Sequence, residues 1–167
     1  MANLDELRVL VVEANQGMRA QLRAMLEGYQ INRVLFAPSA GSAIRKLREQ
    51  TFDIILCEFD LGDSQDGQHL LEDLRTKKII PRETLFIMIT AERNYERVIG
   101  AAELSPDDYI LKPLTAGTLQ MRLERALNRR EIFLPLYRAL EAGDIDTAIE
   151  YCQRMEAEQP RYRIDFM

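Results

Sequence analysis

The 167-residue chain has no tryptophan, a single histidine and only two cysteines. Cys57 and Cys152 are far apart and form no CxxC motif, and His69 has no second histidine near it, which argues against a zinc site. Cys57 lies inside an apolar run, so both cysteines are expected to be reduced packing residues of a cytoplasmic protein.

Long apolar runs and an excess of positive charge are also missing. No segment approaches the roughly 20 apolar residues that a membrane-spanning helix needs. The N-terminal MANLDELRVL lacks the basic region and apolar core of a secretory signal. The net charge of -5 argues against nucleic acid or an anionic membrane surface as the main partner. The length fits one ordinary domain plus a small addition.

The first 130 residues alternate between short apolar segments and amphipathic helical patterns. Strands are predicted at residues 7–12, 31–37, 53–57, 84–89 and 109–111. Helices are predicted at residues 16–27, from Pro38 and Ser39, from Asp66 or Gly67, at 91–103 and from a cap at Thr115. Apolar strands separated by helices indicate an α/β domain with a flavodoxin-like, doubly wound, five-stranded parallel sheet, followed by a small C-terminal α-helical extension.

In such folds, sites form at the carboxyl ends of the strands. In this sequence, polar residues stand at those positions. They are Glu13 after the first strand, Glu58 and Asp60 after the third, Thr90 after the fourth, and Lys112 after the fifth. Acids, a hydroxyl and a lysine at one edge could bind a transferring phosphoryl group together with Mg²⁺.

The stretches VLVVEAN, DIILCE, DG, MITA and YILKP resemble, in order and spacing, a bacterial two-component receiver domain over residues 7–130. The resemblance implies that a strand-three aspartate takes phosphate from a histidine kinase and that two acids after strand one hold Mg²⁺. It further implies that a threonine and a lysine contact the phosphoryl group, and that an aromatic residue on strand five reports the state.

The carry-over to this chain is uneven. Thr90, Lys112 and the aromatic Tyr109 match, and Glu13 matches the first acid. Ala14 occupies the position of the second acid, and Glu58 occupies the phosphoacceptor position. A count back from Asp66-Gly67 through a shorter loop would give Phe59 instead. The strand length favours Glu58, because loops absorb insertions more easily than buried strands do.

Glutamate at position 58 and alanine at position 14 both weaken metal-dependent phosphoryl transfer. Glutamate moves the carboxylate by about one bond length, and a misplacement on the order of 1 Å can cost about a hundredfold in rate. The loss of an acid at Ala14 removes a metal ligand, so Mg²⁺ is expected to bind weakly if at all. The hypothesis is that Glu58 forms a fixed ion pair with Lys112, partly mimicking the phosphorylated state.

The alternative is a working, Mg²⁺-dependent phosphoacceptor. It would use an acid of the 58–63 loop, with Asp60 as the alternative acceptor and Glu13, Glu58 and Asp60 as metal ligands.

Simpler structural interpretations of these residues also stand. Glu58 could be a solvated acid at a strand end, and Tyr109 could be a packing residue. Three aspartates could be turn or cap residues: Asp60, Asp63 and Asp66. Arg122, Arg125, Arg129 and Arg130 are expected to form a solvated helix face or to pair with an acidic partner helix.

Residues 131–167 form a second predicted unit. Ile132 to Ala142 reads as a helix, and Pro135 either ends the preceding helix near Leu134 or kinks it. GDIDTAIEYCQRMEAEQP resembles the second half of a tetratricopeptide repeat. One repeat cannot bury its own apolar face, so it must dock on the receiver, on another copy or on further repeats. RYRIDFM suggests a fragment, or a tail that packs against a partner.

The expected function is a protein-interaction signalling module rather than an enzyme. The partners would be a histidine kinase or a downstream signalling protein, with a homodimer as a further option. No GxGxxG motif or P-loop supports a nucleotide-binding enzyme. No basic recognition helix follows residue 130, so direct transcription control is not expected.

Overall fold

The predicted parallel sheet is present in a computed structural model of the protein, which describes residues 3–62, 65–91 and 104–166. Five parallel strands are arranged in the order β2-β1-β3-β4-β5, so the doubly wound fold class is confirmed. Their bounds are β1 Arg8–Val12, β2 Arg33–Ala37, β3 Ile54–Glu58, β4 Leu85–Thr90 and β5 Asp108–Leu111. The third strand includes Glu58, and the fourth includes Thr90.

Along the chain, three described helices alternate with the strands and three more follow the last strand. Their bounds are α1 Gln16–Gly28, α2 Ala40–Glu49, α3 Gly67–Thr76, α4 Ala116–Glu141, α5 Ile145–Glu158 and α6 Arg163–Phe166, with 3-10 turns at Leu4–Glu6 and Pro160–Tyr162. The side chains of Asn15, Ser39 and Asp66 accept backbone N–H groups at the starts of α1, α2 and α3. The helix predicted at 91–103 falls outside the described residues except for Ala91, and so does Asp63. Among the described helices, none is both long and apolar enough to cross a bilayer.

The central strands are buried along their whole length, as their unbroken apolar sequences predict. Val12 pairs with Cys57, Glu58 with Ile89, and Thr90 with Leu111. This register brings the carboxyl ends of β1, β3, β4 and β5 to one edge of the sheet. The polar residues that follow these strands are therefore held next to one another by an apolar framework.

The chain consists of two compact units, Met1–Ala126 and Leu127–Met167. The division falls inside α4, which runs without a break through Pro135. Of the two alternatives at Pro135, a helix end near Leu134 is therefore wrong, and the proline lies in a helix interior, where it removes one backbone hydrogen bond.

The second unit has an apolar cluster of its own. Phe133 and Phe166 stack with ring centroids 4.4 Å apart, and Tyr162 meets Phe133 edge to face at 5.8 Å. The expectation that the tail packs against a partner is wrong for Tyr162 and Phe166, because both are buried among side chains of α4 and α5. Aromatic pairs of this geometry add to the free energy gained by burial.

The basic residues of α4 are also more engaged than the sequence suggested. Arg122 pairs with Asp108 of β5 at 3.2 Å. Arg129 pairs with Asp165 at 3.0 Å and lies 4.7 Å above the Phe133 ring. The interpretation of all four arginines as a solvated face is therefore wrong for these two, since each has a charged partner within its own unit.

Gly67, the first residue of α3, is expected to tolerate no side chain. A Cβ atom there would lie 2.7 Å from Met88 Sδ, 2.8 Å from the Glu58 carbonyl oxygen and 3.1 Å from Phe59 Cα. We expect Gly67→Ala to lower the free energy of unfolding by about 2 kcal/mol, because forced overpacking typically costs about 1–3 kcal/mol. Urea denaturation followed by circular dichroism measures the change.

Gly41, in α2, supplies the matched control, since a Cβ atom added there meets no atom within 4 Å. Gly41→Ala should leave the protein unchanged or stabilise it by up to about 1 kcal/mol through helix propensity. Equal midpoints for the Gly67 and Gly41 variants would contradict the close approach of α3 to the end of β3.

Candidate functional site

Glu58 and Lys112 form the centre of the site. Glu58 ends β3 and is 6% exposed, although it is charged. The Lys112 ammonium lies 2.7 Å from Glu58 Oε2, so the ion pair expected from the sequence is present. The backbone N–H of Lys112 donates to the Thr90 carbonyl oxygen at 2.9 Å, which fixes the start of the lysine side chain beside β4.

The second oxygen of Glu58 accepts a contact from the loop that follows. The backbone N–H of Asp60 donates to Glu58 Oε1 at 3.3 Å. Asp60 itself is exposed, and its Oδ1 accepts the backbone N–H of Gly62 at 2.9 Å. This arrangement is typical of a turn-forming aspartate. Both Glu58 oxygens are thus engaged by groups of the chain itself.

Glu13 is the second buried carboxylate, only 5% exposed. Burial raises the pKa of Glu13 above its ordinary value, and the nearby charge of Glu58 raises it further. The Asn15 backbone N–H, which donates to Glu13 Oε1 at 2.9 Å, and the charge of Lys112 act in the opposite direction. Glu13, Glu58 and Lys112 therefore interact electrostatically as one group.

Sequence reasoning missed Arg19. Its guanidinium Nη1 donates to the Glu13 carbonyl oxygen at 2.7 Å and to the Ala14 carbonyl oxygen at 2.9 Å. This clamp fixes the loop after β1, and its charge lowers the pKa of Glu13. The only signal in the sequence is an arginine in the first turns of α1, where a side chain can reach back to the preceding loop.

Thr90 and Tyr109 are the two remaining predicted site residues, and they occupy different positions in their strands. Thr90 ends β4 and is 1% exposed. Tyr109 is a half-buried residue of β5, paired in register with Met88, and packs against the main apolar cluster. The structure thus places all the predicted site residues at or near one sheet edge, and the packing interpretation of Tyr109 agrees with its contacts.

The donor set at this edge does not fit a magnesium ion. Ala14 is exposed and offers no side-chain oxygen, while Glu58 Oε2 lies against the Lys112 ammonium. Mg²⁺ requires near-octahedral oxygen coordination. Within residues 3–62, 65–91 and 104–166, no three Asp, Glu, His or Cys side chains are grouped so that they could hold a metal.

Comparisons with known proteins agree on one family. The family model described as "Response regulator receiver domain" matches residues 9–124. ZraR of Escherichia coli, a transcriptional regulatory protein, is 34% identical over 123 residues, which are 74% of this chain and 27% of ZraR. The chain therefore spans little more than a quarter of that relative. The chemotaxis protein CheY-3 of Vibrio cholerae is 28% identical over 74% of this chain and 93% of its own length.

A solved structure adds a likeness in three dimensions. The receiver domain of the sensor histidine kinase PA1611 from Pseudomonas aeruginosa has a TM-score of 0.61 and 25% identity, over 73% of this chain and 98% of its own. That structure is described as having a magnesium ion coordinated in its active site cleft. The family match ends before the second unit, so the tetratricopeptide assignment of residues 131–167 stays a prediction.

Proposed function

Because the chain belongs to the response regulator receiver family, we propose that it is an atypical receiver that acts as a protein-interaction signalling module. In this proposal it is not switched by conventional aspartyl phosphorylation. The observation that carries the proposal is the 2.7 Å ion pair between Lys112 and Glu58 at the acceptor position. The lysine that would meet a phosphoryl group already has a charged partner.

The ion pair supports a fixed rather than a switched state. A glutamate carboxylate is one planar charge, whereas a phosphoryl group carries close to two charges on three acceptor oxygens. Glu58 therefore mimics the phosphorylated state only in part, by occupying Lys112. The Glu58 carboxylate of this pair is buried, whereas the Lys112 side chain is 31% exposed, so water screens the attraction from the lysine side only.

The cation that neutralises the pocket is, in our proposal, Lys112 rather than Mg²⁺. With no acid at Ala14, a divalent ion would have to rely on Glu13 and on an oxygen of Glu58 that Lys112 already contacts. Mg²⁺ gives up its water reluctantly and usually needs one or two free carboxylates together with phosphate oxygens. The partners of such a fixed module are proteins, either a histidine kinase or a downstream signalling protein.

The direct test is phosphotransfer from a small phosphodonor. We expect the intact mass of the native protein to remain unchanged after incubation with acetyl phosphate and Mg²⁺, because the Glu58 carboxylate is displaced and paired. A receiver with aspartate at the acceptor position, treated in parallel, is the positive control. Addition of a phosphoryl group to the native protein would overturn the proposal, and mapping the label to Glu58, Asp60 or Asp63 would identify the acceptor.

A further inference from the structure

The second unit exposes an apolar pair on α5. Ile145 and Ile149, one helical turn apart, are 55% and 50% exposed. Ala148 and Met155 of the same helix are buried in the unit's cluster. The helix thus has one apolar face that packs within the unit and a second apolar surface that does not. We call this second surface, centred on Ile145 and Ile149, the Ile145/Ile149 face.

The two isoleucines are poorly explained by the stability of the helix itself. β-branched side chains lose rotamer freedom in a helix, and polar residues such as glutamate or lysine have higher helix propensity at exposed positions. Single exposed apolar residues are common, whereas contiguous exposed apolar patches mark interaction surfaces. Leu140, 41% exposed at the end of α4, adds a third apolar side chain close by in the chain.

Negative charge borders this face. Asp146 and Glu150 directly follow the two isoleucines in α5, and Glu141 and Asp144 flank the preceding turn; all four are exposed. Asp144 caps α5 by accepting the Thr147 backbone N–H at 3.1 Å. Across the described ranges, no lysine or arginine pairs with Glu141 or Glu150. Exposed Arg138 and Arg154 lie one helical turn from Glu141 and Glu150, so the four acids leave the rim with a net negative charge around an apolar centre.

We propose that the Ile145/Ile149 face binds a basic amphipathic helix of a partner protein. Isoleucines at i and i+4 match the apolar stripe of a partner helix, and the acidic rim matches lysines and arginines beside that stripe. The same acids repel nucleic acid and anionic membranes. This interaction is separate from the pocket at Glu58, so it goes beyond the proposed receiver function and does not depend on it.

Fluorescence anisotropy with the full chain tests the proposal. The probe is a dye-labelled helical peptide with leucines along one face and lysines on both flanks, compared with a peptide in which every lysine is glutamate. We expect the native protein to bind the lysine peptide at least about tenfold more tightly than the glutamate peptide, with a difference that shrinks as salt is added.

Two variants locate the binding surface. Ile149→Gln and Glu150→Lys should each weaken binding of the lysine peptide by about tenfold, through lost apolar contact and reversed charge respectively. The matched control is Leu35→Gln, which removes an apolar side chain that is 39% exposed in the first unit, and it should leave binding unchanged. Circular dichroism checks that each variant is folded.

Three outcomes would overturn the proposal. The first is failure of the native protein to bind the lysine peptide, and the second is equal binding of both peptides. The third comes from analytical ultracentrifugation: if the native chain is a dimer and Ile149→Gln makes it a monomer, the face belongs to a second copy of this chain.

Discussion

The double variant Ala14→Asp/Glu58→Asp is expected to gain a phosphoryl group from acetyl phosphate and Mg²⁺, at a rate at least about a hundredfold above that of the native protein. The first change restores a carboxylate beside Glu13, and the second draws the acceptor carboxylate back by one methylene, away from Lys112. The metal ligand set and the in-line geometry for phosphoryl transfer then return together. Intact mass against time measures the effect.

Single variants show which position limits the chemistry. Ala14→Asp alone adds a ligand but leaves Glu58 paired with Lys112 at 2.7 Å, so it should remain nearly unlabelled. Glu58→Asp alone should be labelled slowly, because the metal still lacks a carboxylate. If the double variant stays unlabelled while retaining its fold and binding Mg²⁺, then the loop 58–63 rather than these two substitutions would be the cause of inactivity.

Lys112→Met is expected to lower the free energy of unfolding by about 3 kcal/mol, because removal of one partner leaves the other charge buried and uncompensated. The Glu58 side chain is only 8% exposed, and its neighbour Glu13 is a second buried acid. Without the ammonium, the buried Glu58 carboxylate loses its cation while the charge of Glu13 remains nearby. Urea denaturation at neutral pH measures the loss.

A double variant and a surface control show whether the loss of stability comes from the uncompensated charge of Glu58 or from removal of any lysine. Glu58→Gln/Lys112→Met should recover most of the lost stability, because it removes both charges and keeps the side-chain volume. Lys77→Met breaks the exposed pair with Asp73, 3.9 Å apart, and should cost less than about 1 kcal/mol. A similar loss for Lys77→Met and Lys112→Met would contradict a special role for the buried pair.

The sequence by itself was sufficient for the sheet and for the carboxylates, the threonine and the lysine of the site, although not for Arg19. Unbroken apolar segments such as TLFIMI that alternate with amphipathic helices are typical of buried strands of a parallel sheet, and the carboxyl ends of such strands share one edge. That reasoning placed Glu13, Glu58, Thr90 and Lys112 together, and the resemblance to receiver domains then led to the predicted contact between Glu58 and Lys112. These conclusions were accessible because residue type and periodicity are local properties of the chain.

Several other contacts were decided by the tertiary structure. The pairing of Arg122 with Asp108 and the burial of Phe166 against Phe133 have no signature in local sequence, and the clamp of Arg19 on the Ala14 carbonyl has only the weak signal of an arginine early in α1. Long arginine side chains can reach several partners, and an aromatic residue near a chain end can pack within its own unit or elsewhere. Which partner is chosen depends on the packing of whole elements, because only their final positions determine which charges and rings come within reach.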